Sequence, residues 1–283
     1  MTIALVVIGV ICGLCSMCLV GRIPGYTLSL AIWAVPVLIM TLFLHRRGSM
    51  SDLVRRALWV SLGAITLLGS GLDLLFARYF FTFPNPKAVL GIRIHGIPIE
   101  EFAFYLLGGW FLSLAYVFCD EFWLRRYNRT ATEYRTWARR LPRLFLPSGR
   151  GWLVLLVAAA GGVAFKSLRN PVGMPVPGYF LFLLCVAYGP FFLFDRMVKP
   201  FLNWRAYSLT LSVTLGISLL WEATLAIPGG WWGYQTGAML GVFIRPWNDL
   251  PVEAVTVWFF SSFAVFIYEA AKIFLHRRDQ RTP

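Results

Sequence analysis

Ile97-Pro98-Ile99-Glu100-Glu101-Phe102 and Leu250-Pro251-Val252-Glu253-Ala254-Val255 set out the same arrangement twice. In each, a carboxylate stands two residues after a proline, at the mouth of an apolar stretch long enough to cross a bilayer. A proline suits the opening of a helix, where its missing N–H costs nothing. A carboxylate does not suit hydrocarbon: insertion scales put its cost at roughly 2.5–3.5 kcal/mol, which makes it a functional candidate by default. Two copies of the arrangement point to a site assembled from two halves.

The chain around these motifs has the composition of a membrane protein. Its 283 residues are 58% hydrophobic, 17% aromatic and only 14% charged, with mean hydropathy +0.68. Apolar runs at about 3–21, 26–44, 57–77, 98–119, 151–168, 178–195, 207–227 and 251–274 are near bilayer-crossing length and predict an all-α integral membrane protein of about eight helices. The net charge of +13 would suggest nucleic acid in a soluble protein. Here 19 of the 26 basic residues follow even-numbered spans, so topology explains them and no nucleic-acid partner is expected. By the positive-inside rule both termini are cytoplasmic, giving a multi-pass protein of the bacterial inner membrane. Cys12, Cys15 and Cys18 share the first apolar run without a second pair or a nearby histidine, and read as small side chains in a helix rather than a metal site.

The chain also repeats itself at an offset of 153 residues: Pro24-Gly25-Tyr26 matches Pro177-Gly178-Tyr179, Ser61-Leu62-Gly63 matches Thr214-Leu215-Gly216, and Pro98 and Glu100 match Pro251 and Glu253. Four spans per repeat preserve orientation, so the halves are parallel repeats about an axis along the membrane normal. Three segments follow: a first membrane repeat over 1–120, a basic amphipathic cytoplasmic linker over 121–150, and a second repeat over 151–283. Trp123, Tyr127, Tyr134, Trp137 and Leu141 recur at near-helical spacing among the linker's arginines, the pattern of a helix lying on the membrane surface.

Five acids of the spans lie toward the non-cytoplasmic side: Asp73, Glu100, Glu101, Glu222 and Glu253. Helix capping accounts for acids at helix N-termini, but Asp73 and Glu222 approach C-termini, where the dipole disfavours anions. Glu222 aligns with Gly69, one helical turn before Asp73 on the same face. Each half thus supplies an acid from its third span and one from its fourth. Structural ion pairs with Arg78, Arg93 or Arg245 are the alternative. Aromatic residues surround both motifs: Phe102, Phe104 and Tyr105 in one half; Trp231, Trp232, Tyr234 and Trp258 in the other. Aromatic faces stabilise cations, and an acid beside them could protonate an alkene and shelter the carbocation. His95 reads as an incidental loop residue, with a proton relay as the alternative.

These residues resemble the lycopene cyclase domain family, integral-membrane carotenoid cyclases found as two small subunits or one fused chain. The family's Pro-x-Glu-Glu mark reads Pro98-Ile99-Glu100-Glu101 and then Pro251-Val252-Glu253-Ala254, so the second copy lacks its second acid. Asp73, Glu222 and Trp231-Trp232-Gly233-Tyr234 fit the rest of the pattern. The resemblance implies a redox-neutral lycopene cyclase. A carboxylic acid protonates C2 of an end group, the C5=C6 bond attacks the cation at C1, and a base removes a proton to leave an ionone ring, expected to be β. It casts Glu100 and Glu253 as the acid/base pair, with Asp73, Glu222 and Glu101 assisting. Phe102, Tyr105, Trp231, Trp232, Tyr234 and Trp258 would line the substrate. Lycopene or a related acyclic carotenoid, membrane lipid and other enzymes of the carotenoid pathway are the implied partners.

No cofactor or metal is expected. Gly69-Ser70-Gly71 lacks the third glycine of a dinucleotide fingerprint and sits inside a span, and no aspartate-rich magnesium-diphosphate motif occurs. The competing readings are a membrane terpenoid cyclase or hydratase on another polyprenyl lipid, a small transporter, and a lipid-binding scaffold.

Overall fold

The computed structural model describes residues 23–46, 48, 50–128, 148–169, 176–258 and 261–279. The first expected span, the Cys12-Cys15-Cys18 run and linker residues 129–147 lie outside them. Among the described residues five helices are long and apolar enough to cross a membrane: Gly25–Arg46, Asp52–Phe80, Ile99–Trp123, Gly149–Arg169 and Trp204–Ala226. Their regular α-helical parts are α1 (Gly25–Arg46), α2 (Asp52–Phe80), α3 (Ile99–Phe118), α4 (Gly149–Arg169) and α7 (Trp204–Trp221). All five coincide with expected spans.

The sixth expected span differs from a single regular α-helix. It divides into α5 (Gly178–Leu183), a π-helical turn (Leu184–Tyr188) and α6 (Gly189–Val198). Pro190 supplies no N–H, and a widened turn absorbs the missing hydrogen bond. The eighth is described as α8 (Val252–Val257) and α9 (Ser261–Asp279), with residues 259–260 outside the described residues.

Local chemistry sets the helix starts. The Ser51 side chain accepts the Val54 N–H at 3.3 Å and opens α2, and Asn203 does the same for Ala206 at 3.3 Å before α7. Pro98 and Pro251 open α3 and α8. Gly151 lets α4 meet α6 closely, since a Cβ there would lie 2.3 Å from the Phe192 carbonyl oxygen.

The connections after α2 and α7 run through matching elements. β1 (Phe81–Thr82) pairs antiparallel with β4 (Gly233–Tyr234), Phe81 opposite Tyr234. Those two residues are 153 apart, so each faces its own counterpart. A hairpin of β2 (Arg93–Ile94) and β3 (Ile97–Pro98) then precedes α3, and one of β5 (Phe243–Ile244) and β6 (Leu250–Pro251) precedes α8. The first hairpin turns on His95-Gly96, with φ of 51° and 84°, the tight turn that favours glycine. His95 is an exposed turn residue. The second hairpin turns over residues 245–249. Its three extra residues offset a β4 that begins one residue early relative to β1 and a link from β4 to the 3-10 turn Thr236–Ala238 that is two residues shorter than that from β1 to Pro86–Ala88. These differences cancel, which is why the motifs match at one ungapped offset.

One apolar cluster, including Leu44, Val54, Leu114, Phe201 and Tyr268, packs toward the arginine-rich helix ends. A second, around Tyr26, Trp221, Trp231 and Trp232, packs at the opposite end with the acids.

Candidate active site

Consecutive helical residues point about 100° apart, so Glu100 and Glu101 on the first turn of α3 cannot share a face. Glu100 is 2% exposed. Its Oε1 accepts the Leu90 N–H at 2.7 Å and the Thr27 hydroxyl at 2.6 Å. Glu253 is fully buried, and its Oε1 accepts the Leu240 N–H. The backbone repeats the match, with Ile99 N bonded to Ile92 O and Val252 N to Val242 O. Glu100 and Glu253 therefore do equivalent work: each ties the loop ahead of its helix to that helix.

Glu101 faces the other way, into a cavity of about 120 Å³. Tyr26 donates its hydroxyl to Glu101 Oε1 at 3.0 Å. Glu222 lines the same cavity from the start of a π-helical turn (Glu222–Ala226) that ends the α7 span. Three donors converge on it: the Tyr234 hydroxyl and Trp232 Nε1 (3.4 Å) on Oε1, and Trp258 Nε1 (3.3 Å) on Oε2. Burial beside Glu222 holds the Tyr234 hydroxyl well above its ordinary range, so it remains a donor. Asp73 lies one side cavity away, accepting the Tyr105 hydroxyl at 2.9 Å. The buried Tyr179 lines both this cavity and the side cavity that holds Asp73.

The cavity walls are aromatic. Phe104 stacks on Trp221 with centroids 5.9 Å apart and meets the Trp258 edge at 5.8 Å. Tyr26 packs on Trp232 at 5.3 Å, and Phe81 lies between Tyr179 and Tyr234. Gly108 and Gly109 open the floor; a Cβ on Gly109 would sit 2.9 Å from Ile65.

Of the residues expected at the site, Glu101, Glu222, Tyr105, Trp232, Tyr234 and Trp258 line this cavity together. Glu100 and Glu253 are not among its lining residues. Phe102 lines none of the cavities described, and Trp231 stacks behind Tyr26 at 5.7 Å and 13°, bracing the ring that holds Glu101. Tyr26, Tyr179 and Phe104 complete the chamber without having been assigned to it. The signal for the two tyrosines was present in the repeated Pro-Gly-Tyr. Ala254, the counterpart of Glu101, is fully buried. The arrangement therefore holds one chamber shared by both halves, with one acid from each. Among the described residues no cluster of His, Cys, Asp and Glu could hold a metal ion.

Residues 24–123 match a family model described as lycopene cyclase. No curated protein and no solved structure matches the chain. The matched segment holds Asp73, Glu100, Glu101, Phe102 and Tyr105; Glu222 and its three donors lie beyond it.

Proposed function

We propose, from the lycopene cyclase family sequence at residues 24–123, that this membrane protein is a carotenoid cyclase closing the acyclic end groups of lycopene to ionone rings. Glu101 is the proton donor and Glu222 the base. Glu101 has one described donor, Tyr26, leaving room for a carboxyl proton aimed at the chamber. Glu222 is met by three donors, which suit an oxygen pair carrying no proton of its own.

The chemistry balances without a cofactor. Glu101 delivers a proton to C2, the positive charge at C1 is met by the C5=C6 bond, and the ring closes with charge at C5. Glu222 takes a proton from C6, giving the β ring. The faces of Phe104, Trp232 and Trp258 shelter the cation, and these apolar walls disfavour the water that would capture it as an alcohol. Asp73 assists from behind Tyr105, while Glu100 and Glu253 hold the loops that roof the chamber.

The observation that carries this reading is the meeting of Glu101 and Glu222, from different halves, in one aromatic cavity. Its test is pigment chromatography of a lycopene-accumulating bacterium expressing the chain. Wild type is expected to yield cyclic carotenes, and Glu101→Gln or Glu222→Gln at equal protein level to reduce them at least about a hundredfold, the usual scale for a lost acid or base. Lycopene left unchanged by folded, membrane-inserted wild type would overturn the assignment.

A further inference from the structure

The chamber is too small to hold more than part of a long polyene, so the rest of the chain needs a path. Two side cavities adjoin it. One shares Phe104, Gly108, Leu112 and Trp258 with the chamber and measures about 30 Å³. Its lining includes two buried groups without partners, Thr214 Oγ1 and Trp221 Nε1. The other shares Phe81, Tyr105, Tyr179 and Val257 with the chamber and measures about 60 Å³. Its one acid, Asp73, already accepts the Tyr105 hydroxyl. Otherwise apolar side chains of α2 and of the α5–α6 span line it: Leu72, Phe76, Phe182, Leu183, Val186 and Ala187. Phe76 is 38% exposed on a helix that crosses the membrane, so this cavity reaches the lipid-facing surface.

We infer that the polyene enters sideways from the bilayer through this wider cavity, between α2 and the π-turn of the α5–α6 span. Val186 and Ala187 set the width of the passage. The inference rests on the cyclase reading and adds the route and the residues that select for chain length. The alternative arm is narrower and would set a hydrocarbon chain against two unsatisfied polar groups, which is unfavourable. Tyr105 is the wall between passage and chamber. Gly69 gives it room, since a Cβ there would come within 2.2 Å of the Tyr105 ring. A single passage admits one end group at a time, so a monocyclic product must withdraw and re-enter before its second end can close.

The test compares two substrates in membranes carrying the full chain: lycopene, and an acyclic aldehyde with the same end group and half the polyene length. Val186→Phe and Ala187→Leu are expected to lower the ratio of lycopene to short-substrate turnover about tenfold, because the larger side chains narrow a passage that only the longer chain must fill. Ser218→Leu, in the narrow arm, should leave the ratio unchanged. Turnover of the short substrate reports that each variant is folded. An unchanged ratio in Val186→Phe and Ala187→Leu, or a fall confined to Ser218→Leu, would overturn the route. Inert wild type on both substrates would defeat the cyclase reading instead. Quenching of tryptophan fluorescence by lycopene then decides the route alone: weaker in Val186→Phe supports it, undiminished overturns it.

Discussion

Glu100 and Glu101 are neighbours with different work. Replacing Glu100 by Gln keeps an acceptor oxygen for Leu90 N–H and the Thr27 hydroxyl, so cyclic carotene output should stay within about threefold of wild type. Glu100→Leu strands both donors and should lower stability by about 1–3 kcal/mol, read as an earlier thermal midpoint of the detergent-solubilised protein. If Glu100→Gln were instead as inactive as Glu101→Gln, the proton donor would be Glu100. The acids were legible in the sequence because charge in a span is costly. Their facing was not. Both carboxylates of a Glu-Glu pair carry the same letter, and the partner that claims Glu100 is a backbone N–H ten residues upstream, which no side-chain pattern announces. Tyr26 and Tyr179 were visible as repeat matches, but only the packing reveals that each ring reaches the chamber.

At the scale of elements, the π-helical turn Glu222–Ala226 fixes how Glu222 is presented to Trp232 and Tyr234. A π turn carries one residue more than an α turn. Deleting exposed Thr224 should restore α geometry and turn the following loop by about 100° relative to Glu222. The expected result is membrane-inserted protein without cyclic product by pigment chromatography; retained activity would mean that the turn is incidental. Hydropathy located the five long helices well, because length and apolarity are additive along the chain. It ran through the π-helical turn of the sixth span, because the residues there remain apolar and only backbone hydrogen bonding changes. The two hairpins lay unread in short polar connections, although the His95-Gly96 turn carries a glycine at positive φ.

In the whole molecule the halves meet at both ends on matched positions. Near the acids, Phe81 pairs with Tyr234. Near the arginine-rich end, Tyr116 donates to Glu269 Oε1 at 2.8 Å, again 153 residues apart. Beside it, buried Lys272 bridges Asp120 at 3.5 Å and Glu121 at 3.0 Å across the halves. Residues 1–128 and 148–283 co-expressed as separate chains should therefore restore cyclic carotenes in the lycopene-accumulating host. Lys272→Met should abolish that recovery while only weakening the single chain, since a linker holds the halves at high effective concentration. Recovery with Lys272→Met would mean the bridge is dispensable. The repeat was legible because length differences between the loops happen to cancel. A site assembled from both halves was legible in the doubled motif; which acids meet in it was not, since Ala254 removes the counterpart of Glu101 and Glu222, from another span, faces it instead.

The pairing of Phe81 with Tyr234 also bears on biosynthesis. Contacts between residues so far apart in the chain form late, and the ribosome must deliver the second half before the first finds its mate. Glu101 and Glu222 then come together only in finished protein. On the proposed reading, a nascent chain cannot yet combine proton donor and base, and a carotenoid would meet acid chemistry only after insertion is complete.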